Sequence, residues 1–242
     1  MLLSALLTLS ATGLADDVQK LASRRVFFGH QSVGANIVDG VNDVTFGKLP
    51  VHEGRTPAPG LVHTLVGKNE SPQSKLADFE AALDALGGQA DIAFFKFCYV
   101  DFEANTDVEQ LFTDYLALHR RLAAKYPAIT FVHVTVPLTV VPQGPMAWLK
   151  KTLSKKEPWG TRENEVRHRF NTLMRERLAG QPLFDLAALE STRPDGTAAT
   201  WQREGKTLPM LVAEYSGDGQ HLNTVGRRRV AEALLTFLAR LP

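Results

Sequence analysis

A chain of 242 residues can bury a full hydrophobic core without disulfide or metal staples, which excludes mini-protein scaffolds. Apolar residues at 44% and charged residues at 22% exclude wholesale disorder and fibrous repeats. Twenty-seven basic side chains against twenty-six acidic ones leave a formal charge of +1, so no global field draws the chain to nucleic acid.

Residues 1–15 are apolar, with small residues near their end, and are followed by Asp16 and Asp17. The stretch is shorter than the roughly 20 apolar residues that cross a bilayer. It matches the core of a signal peptide cleaved after Ala15, although the basic segment that normally comes first is missing; a buried N-terminal helix is the alternative. The expectation is a secreted or periplasmic protein with no stable membrane insertion. Beyond it, short apolar runs at 26–28, 92–97, 129–136 and 183–186 read as strands, with a weaker one at 49–52. Helical patterns lie between them at 33–42, 73–86, 107–125 and 162–179, and a last one spans 223–240. Near-continuous apolar runs suit strands covered on both faces, as in a parallel sheet. The expectation is one domain over 16–242, an α/β fold of three layers, doubly wound around about five parallel strands. No repeat or long linker divides it.

A sheet of this kind holds its ligand site outside the carboxyl ends of its strands. The segments there are Gly29-His30-Gln31-Ser32-Val33-Gly34, Cys98-Tyr99-Val100-Asp101, Pro137-Leu138-Thr139, and the loop from Ser216 to Asn223. Ser32 follows a buried strand and opens a helix whose free N–H groups can stabilise an anion. A serine hydroxyl becomes a nucleophile only when a base takes its proton. Asp218 and His221 supply a base and the carboxylate to orient it within one loop. Each motif alone has an ordinary explanation: Ser32 as the N-cap of its helix, and Asp218-Gly219 as a turn before Asn223 caps the last helix. Their joint presence in one α/β chain argues for a catalytic triad.

These blocks resemble the SGNH, or GDSL-like, hydrolases, whose nucleophile follows strand one and whose DxxH block precedes the C-terminal helix. Ser32, Asp218 and His221 match those positions, and the likeness spans the chain beyond its first residues. It implies a flavodoxin-like fold and a serine esterase without metal or cofactor, acting on small acyl esters of carbohydrates or similar alcohols. It also implies an oxyanion hole formed by the N–H groups of Ser32 and Gly67. Two blocks depart from the pattern. Gly-Asp-Ser reads His30-Gln31-Ser32, and Val100 stands where the pattern has an oxyanion-hole asparagine. Asn69 and Gln31 are the candidate replacements, with Asn36 a poorer one because it lies inside a helix. Loss of one such donor costs about 10² to 10³ in turnover.

His30 is expected in a structural or substrate-gating role, because side chains adjacent along a strand end point to opposite sides. His30, Gln31 and Asp101 are the expected substrate contacts, with helix capping an equal reading for Asp101. Cys98, the sole cysteine, reads as a buried small hydrophobe rather than a thiol nucleophile. His133 reads as a hydrogen-bonded core histidine, and His119 and His168 as solvated helix faces. His52 and His63 lie in a Pro/Gly-rich loop without metal-ligand spacing. Lys150, Lys151, Lys155 and Lys156, with Trp148 and Trp159, read as a solvated lid-like loop able to meet a glycan. Arg227, Arg228 and Arg229 read as an exposed face of the last helix. Two alternatives accompany the esterase expectation: an O-acyltransferase using the same nucleophile, and a catalytically inactive glycan-binding module.

Overall fold

Period-two alternation inside the apolar runs decides which side chains face which layer. The computed structural model describes residues 11–144, 157 and 159–242. Strand β1 (Arg25–His30) sends Val26 and Phe28 into one core and Phe27 into another. Strand β4 (Ile92–Phe95) divides in the same way, Ile92 and Phe94 opposite Ala93 and Phe95. The first core is closed by α1 (Ala11–Ala22), α2 (Val33–Thr45) and α7 (Thr224–Leu238). The second is closed by α3 (Pro72–Ala85), α4 (Val108–Lys125) and α5 (Thr161–Arg177). Two apolar layers around one sheet give the three-layer α/β architecture.

The sheet has six strands rather than five, all parallel. Besides β1 and β4 it contains β2 (Val51–Glu53), β3 (Gly60–Leu65), β5 (Thr130–Val134) and β6 (Leu183–Phe184), in the order β2-β3-β1-β4-β5-β6. The extra strand is β3, in the segment that reads as a Pro/Gly-rich loop; its far end is only partly buried, so its composition is mixed. A short helix α6 (Leu186–Ser191) follows β6, and β7 (Thr200–Arg203) with β8 (Lys206–Pro209) adds an antiparallel hairpin. Strand order reverses at β1, which lies between β3 and β4, so the crevice of a doubly wound sheet opens beyond the ends of β1 and β4.

Helices α2 and α7 pack closely side by side. A Cβ on Gly40 would come within 2.3 Å of the Arg227 carbonyl oxygen, so only glycine allows this approach. Arg227 is not simply an exposed face: its Nε donates to Asp43 Oδ2 at 2.7 Å and ties α7 to α2. Helix α1 runs unbroken past Ala15 and buries Val18 and Leu21. His119, expected in solvent, is buried, because it lies on the side of α4 facing the rings of Tyr115 and His133 while its basic neighbours point away. His168 is half-buried. His133 is a satisfied core group, accepting from Tyr115 Oη at Nδ1 and donating to Gln181 Oε1 from Nε2. Residues 1–10, Trp148, Lys150, Lys151, Lys155 and Lys156 lie outside the described residues. Among the described residues no helix is long and apolar enough to cross a membrane.

Candidate active site

The turn after β1 places Ser32 at φ 42°, ψ −104°, a conformation that an L-residue adopts at a cost. Its side chain makes no capping bond to α2. The hydroxyl instead lies 2.5 Å from His221 Nε2, on a loop 189 residues away. The strained serine is therefore aimed at the imidazole rather than at its own helix. The N–H groups of Ser32 and Val33 have no acceptor among the described residues, which leaves the N-terminus of α2 open toward an anion.

The loop before α7 is braced from inside. Asn223 caps the helix, accepting from the N–H groups of Val225 and Gly226 at 3.0 Å each. Asp218 Oδ1 accepts from the N–H groups of Gln220 (2.8 Å) and His221 (2.7 Å), which closes the turn. Its other oxygen, Oδ2, faces His221 Nδ1 at 2.7 Å. One oxygen of Asp218 thus closes the turn while the other meets the imidazole. Partial desolvation pushes the Asp218 carboxyl up, but the His221 and Gln220 hydrogen bonds outweigh it and hold the group well below the usual carboxylate range. An ionised Asp218 keeps the proton on Nδ1 and the lone pair on Nε2, the tautomer that accepts from Ser32. Ser216 adds a brace, its hydroxyl donating to the His221 carbonyl (2.7 Å) and accepting from the Gly219 N–H (2.9 Å). Asn36, on α2 one turn beyond Ser32, accepts from the Leu222 N–H at 3.3 Å, so it fastens the two loops together instead of serving as an oxyanion donor.

The expected substrate contacts sit differently. Asp101 is fully enclosed: Oδ2 accepts from Lys75 Nζ at 2.5 Å and from the Cys98 N–H at 2.6 Å, and Oδ1 accepts from the Glu70 N–H at 3.0 Å. With its oxygens so occupied it is a strut under the β4 loop, not a substrate ligand. Gln31 spends its amide N–H₂ on the Gly67 and Val66 carbonyls at 2.9 and 3.3 Å, joining the serine loop to the loop after β3. His30 is buried against Phe28, with Nε2 3.1 Å from His63 Nδ1. Desolvation, helped by the charge of Lys96 and by His63, pushes its pKa down to about 3, so the ring is neutral. The Gly67 N–H, expected in the oxyanion hole, donates to Asp78 Oδ2 at 2.9 Å, because Arg55 holds that carboxylate against the loop through paired bonds at 2.8 and 2.9 Å. Gly67 remains a fixed point of the turn: φ is +57°, and a Cβ would collide with the Lys75 backbone. Asn69 is exposed, with Oδ1 accepting from Lys75 Nζ at 3.1 Å, which leaves its N–H₂ as the outward end.

Tyr99 is the site residue that sequence reasoning missed. It begins the turn after β4, where the pattern directed attention to position 100. Its hydroxyl donates to Gln220 Oε1 at 2.8 Å and lies 3.3 Å from His221 Nε2, and its ring meets the imidazole edge to face. The buried Arg167 guanidinium holds it from behind, donating from Nε to the Tyr99 carbonyl at 2.9 Å and lying 5.7 Å from the ring centre. Desolvation, with Cys98 and Asp218, raises the phenol pKa, while Ser32 and Arg167 oppose the rise. Cys98 is buried. Trp159 stands half exposed beside Tyr99. It lines a cleft of about 370 Å³ together with Val100, Phe102, Asn105 and Glu163.

No protein-family model matches the chain, and no curated protein matches it. Solved structures do. One from Streptococcus pneumonia, assigned as a platelet activating factor, is 16% identical, with a TM-score of 0.52 over 95% of this chain and 92% of the other. A protein assigned to the lipolytic G-D-S-L family of Desulfitobacterium hafniense DCB-2 is 9% identical, with a TM-score of 0.51 over 88% and 98%. The fold is that of the SGNH hydrolases. The same fold is present in the periplasmic domain of a lipopolysaccharide acetyltransferase from Salmonella ser. Paratyphi A, 11% identical, with a TM-score of 0.51 over 92% and 86%. In this SGNH-like chain the first strand turn and the loop before the last helix meet, so the two blocks that carry the resemblance converge on one point.

Proposed function

We propose that the chain is a serine esterase that hydrolyses small, acetyl-type esters. The observation that carries this reading is the 2.5 Å contact between a strained, non-capping Ser32 hydroxyl and Nε2 of a His221 whose Nδ1 faces the Asp218 carboxylate. Ser32 attacks the ester carbonyl while His221 takes its proton. His221 then returns that proton to the leaving alcohol, and water repeats the sequence on the acyl-enzyme. Asp218 stays ionised and stabilises the imidazolium. The free N–H of Ser32 faces the charge that develops on the carbonyl oxygen. A carbohydrate is the proposed alcohol, on the resemblance and on the half-exposed Trp159, whose ring suits a sugar.

Fold likeness to an acetyltransferase domain favours a second reading, transfer of the acyl group to a sugar hydroxyl. Transfer requires that water be kept from the acyl-enzyme. The His221 and Asp218 side chains are 40% and 53% exposed, which favours hydrolysis. The intact hydrogen-bonded array speaks against the inactive binding module. The test is turnover of p-nitrophenyl acetate and labelling by a fluorophosphonate probe. Wild type is expected to do both and Ser32→Ala neither; a Ser32→Ala enzyme that turns over normally removes this mechanism.

A further inference from the structure

Acyl transfer at Ser32 concentrates negative charge on the carbonyl oxygen, and among the described residues the expected side-chain donors for it are missing or committed. Val100 offers no side-chain donor where the related pattern has an amide. The Gly67 N–H is committed to Asp78, and Gln31 has given its amide hydrogens to backbone carbonyls. Among the described residues, what remains is the open start of α2, the outward N–H₂ of Asn69 on the exposed loop after β3, and one hydroxyl that reaches the catalytic imidazole. That hydroxyl belongs to Tyr99, which stands next to Val100 in the same turn and lies 3.3 Å from His221 Nε2, the same nitrogen that the Ser32 hydroxyl meets at 2.5 Å.

We propose, resting on the esterase reading, that the Tyr99 phenol donates the hydrogen bond to the substrate oxyanion that position 100 cannot supply. His221 Nε2 has a single lone pair and Ser32 fills it, so at rest the phenol gives its hydrogen to Gln220 Oε1. A charged oxygen is the stronger acceptor, and the O–H rotates to it when the tetrahedral intermediate forms. No proton is transferred: the phenol is a donor before and after, and collapse of the intermediate returns it to Gln220. Because its pKa lies above that of an ordinary phenol, Tyr99 keeps its hydrogen throughout the range in which an imidazole base operates. The buried Arg167, bonded to the Tyr99 carbonyl, fixes the turn that aims it. Tyr99 is thereby a catalytic residue, and Arg167 a positioning residue.

The test is Tyr99→Phe, which removes one oxygen and keeps the ring packed against His221 and Trp159. With p-nitrophenyl acetate, kcat is expected to fall about 10²-fold with little change in KM, the size of effect seen when an oxyanion donor is removed. The pH at which the imidazole limb of the kcat profile breaks should not move. Thionoacetate esters provide a second measurement, because sulfur accepts hydrogen bonds weakly. The preference for the oxygen ester is expected to shrink in Tyr99→Phe. A variant that keeps the phenol and makes it more acidic, Tyr99→3-fluorotyrosine, is expected to match or exceed wild-type kcat. A Tyr99→Phe kcat within threefold of wild type overturns the proposal, while a silent Ser32→Ala leaves the esterase reading standing. A shifted pH limb with an unchanged thiono preference also overturns it, since that pattern belongs to a tyrosine that only holds the histidine. A wild-type protein that neither turns over nor labels overturns both readings.

Discussion

The buried pair under the β4 loop makes the sharpest stability prediction. Lys75 and Asp101 have no side-chain exposure, and their contact is 2.5 Å. Asp101→Ala leaves an ammonium group inside the protein with only Asn69 Oδ1 to meet it, and strips acceptors from the N–H groups of Cys98 and Glu70. Breaking a buried pair in this way costs about 3–5 kcal/mol. At about 2–4 °C per kcal/mol for a domain of this size, Tm is expected to fall by roughly 6–20 °C. Lys75→Met leaves the carboxylate with two backbone donors, so its loss should be smaller. The double variant Lys75→Met/Asp101→Ala removes both charges together, and its loss should be less than the sum of the single losses by about 1–3 kcal/mol. Urea denaturation of the four proteins, read by circular dichroism, measures the cycle. Additive losses, or an Asp101→Ala protein melting within about 2 °C of wild type, would refute the account of Asp101 as a strut.

Two further outcomes follow from the titrating groups. Asp218→Asn removes the ionised acceptor that sets the His221 tautomer, and kcat on p-nitrophenyl acetate is expected to fall by about 10³ to 10⁴ without loss of fold; stopped-assay kinetics with a melting curve check both. His30, held neutral with a pKa of about 3, binds its proton in the unfolded chain near pH 6.5 but not in the folded one. Its share of stability is thus complete above pH 6.5 and is lost toward pH 3, by about 1.4 kcal/mol per pH unit. His30→Gln should flatten the acid limb of a urea-midpoint profile, and an unchanged slope would count against that assignment.

The sequence made the central part of the fold legible because β4 and the Val26–Phe28 run of β1 are apolar and covered on both faces. Strand β3 escaped because it carries His63 and Thr64 and ends at the exposed Leu65, so neither a continuous run nor a clean alternation marks it. Ser32, Asp218 and His221 were readable because each sits in a local motif with a spacing. Lys75 and Asp101 carry no such signal: their pairing is decided by α3 meeting the turn after β4, which no local pattern encodes. Tyr99 was hidden for a related reason. A pattern fixes which position should hold the donor, whereas the three-residue turn fixes which side chain faces the imidazole. The commitment of Gly67 to Asp78 likewise depends on Arg55, whose role emerges only once β3 is in place.

The contact between α2 and α7 couples two distant stretches of the chain. Ser32 and His221 lie 189 residues apart, and they are held together where α7 docks on α2 through Asp43 and the Gly40 crossing. With α7 undocked, the Ser32 hydroxyl loses a brace that keeps the imidazole beside it. In the proposed esterase the working site therefore depends on the seam between α2 and α7.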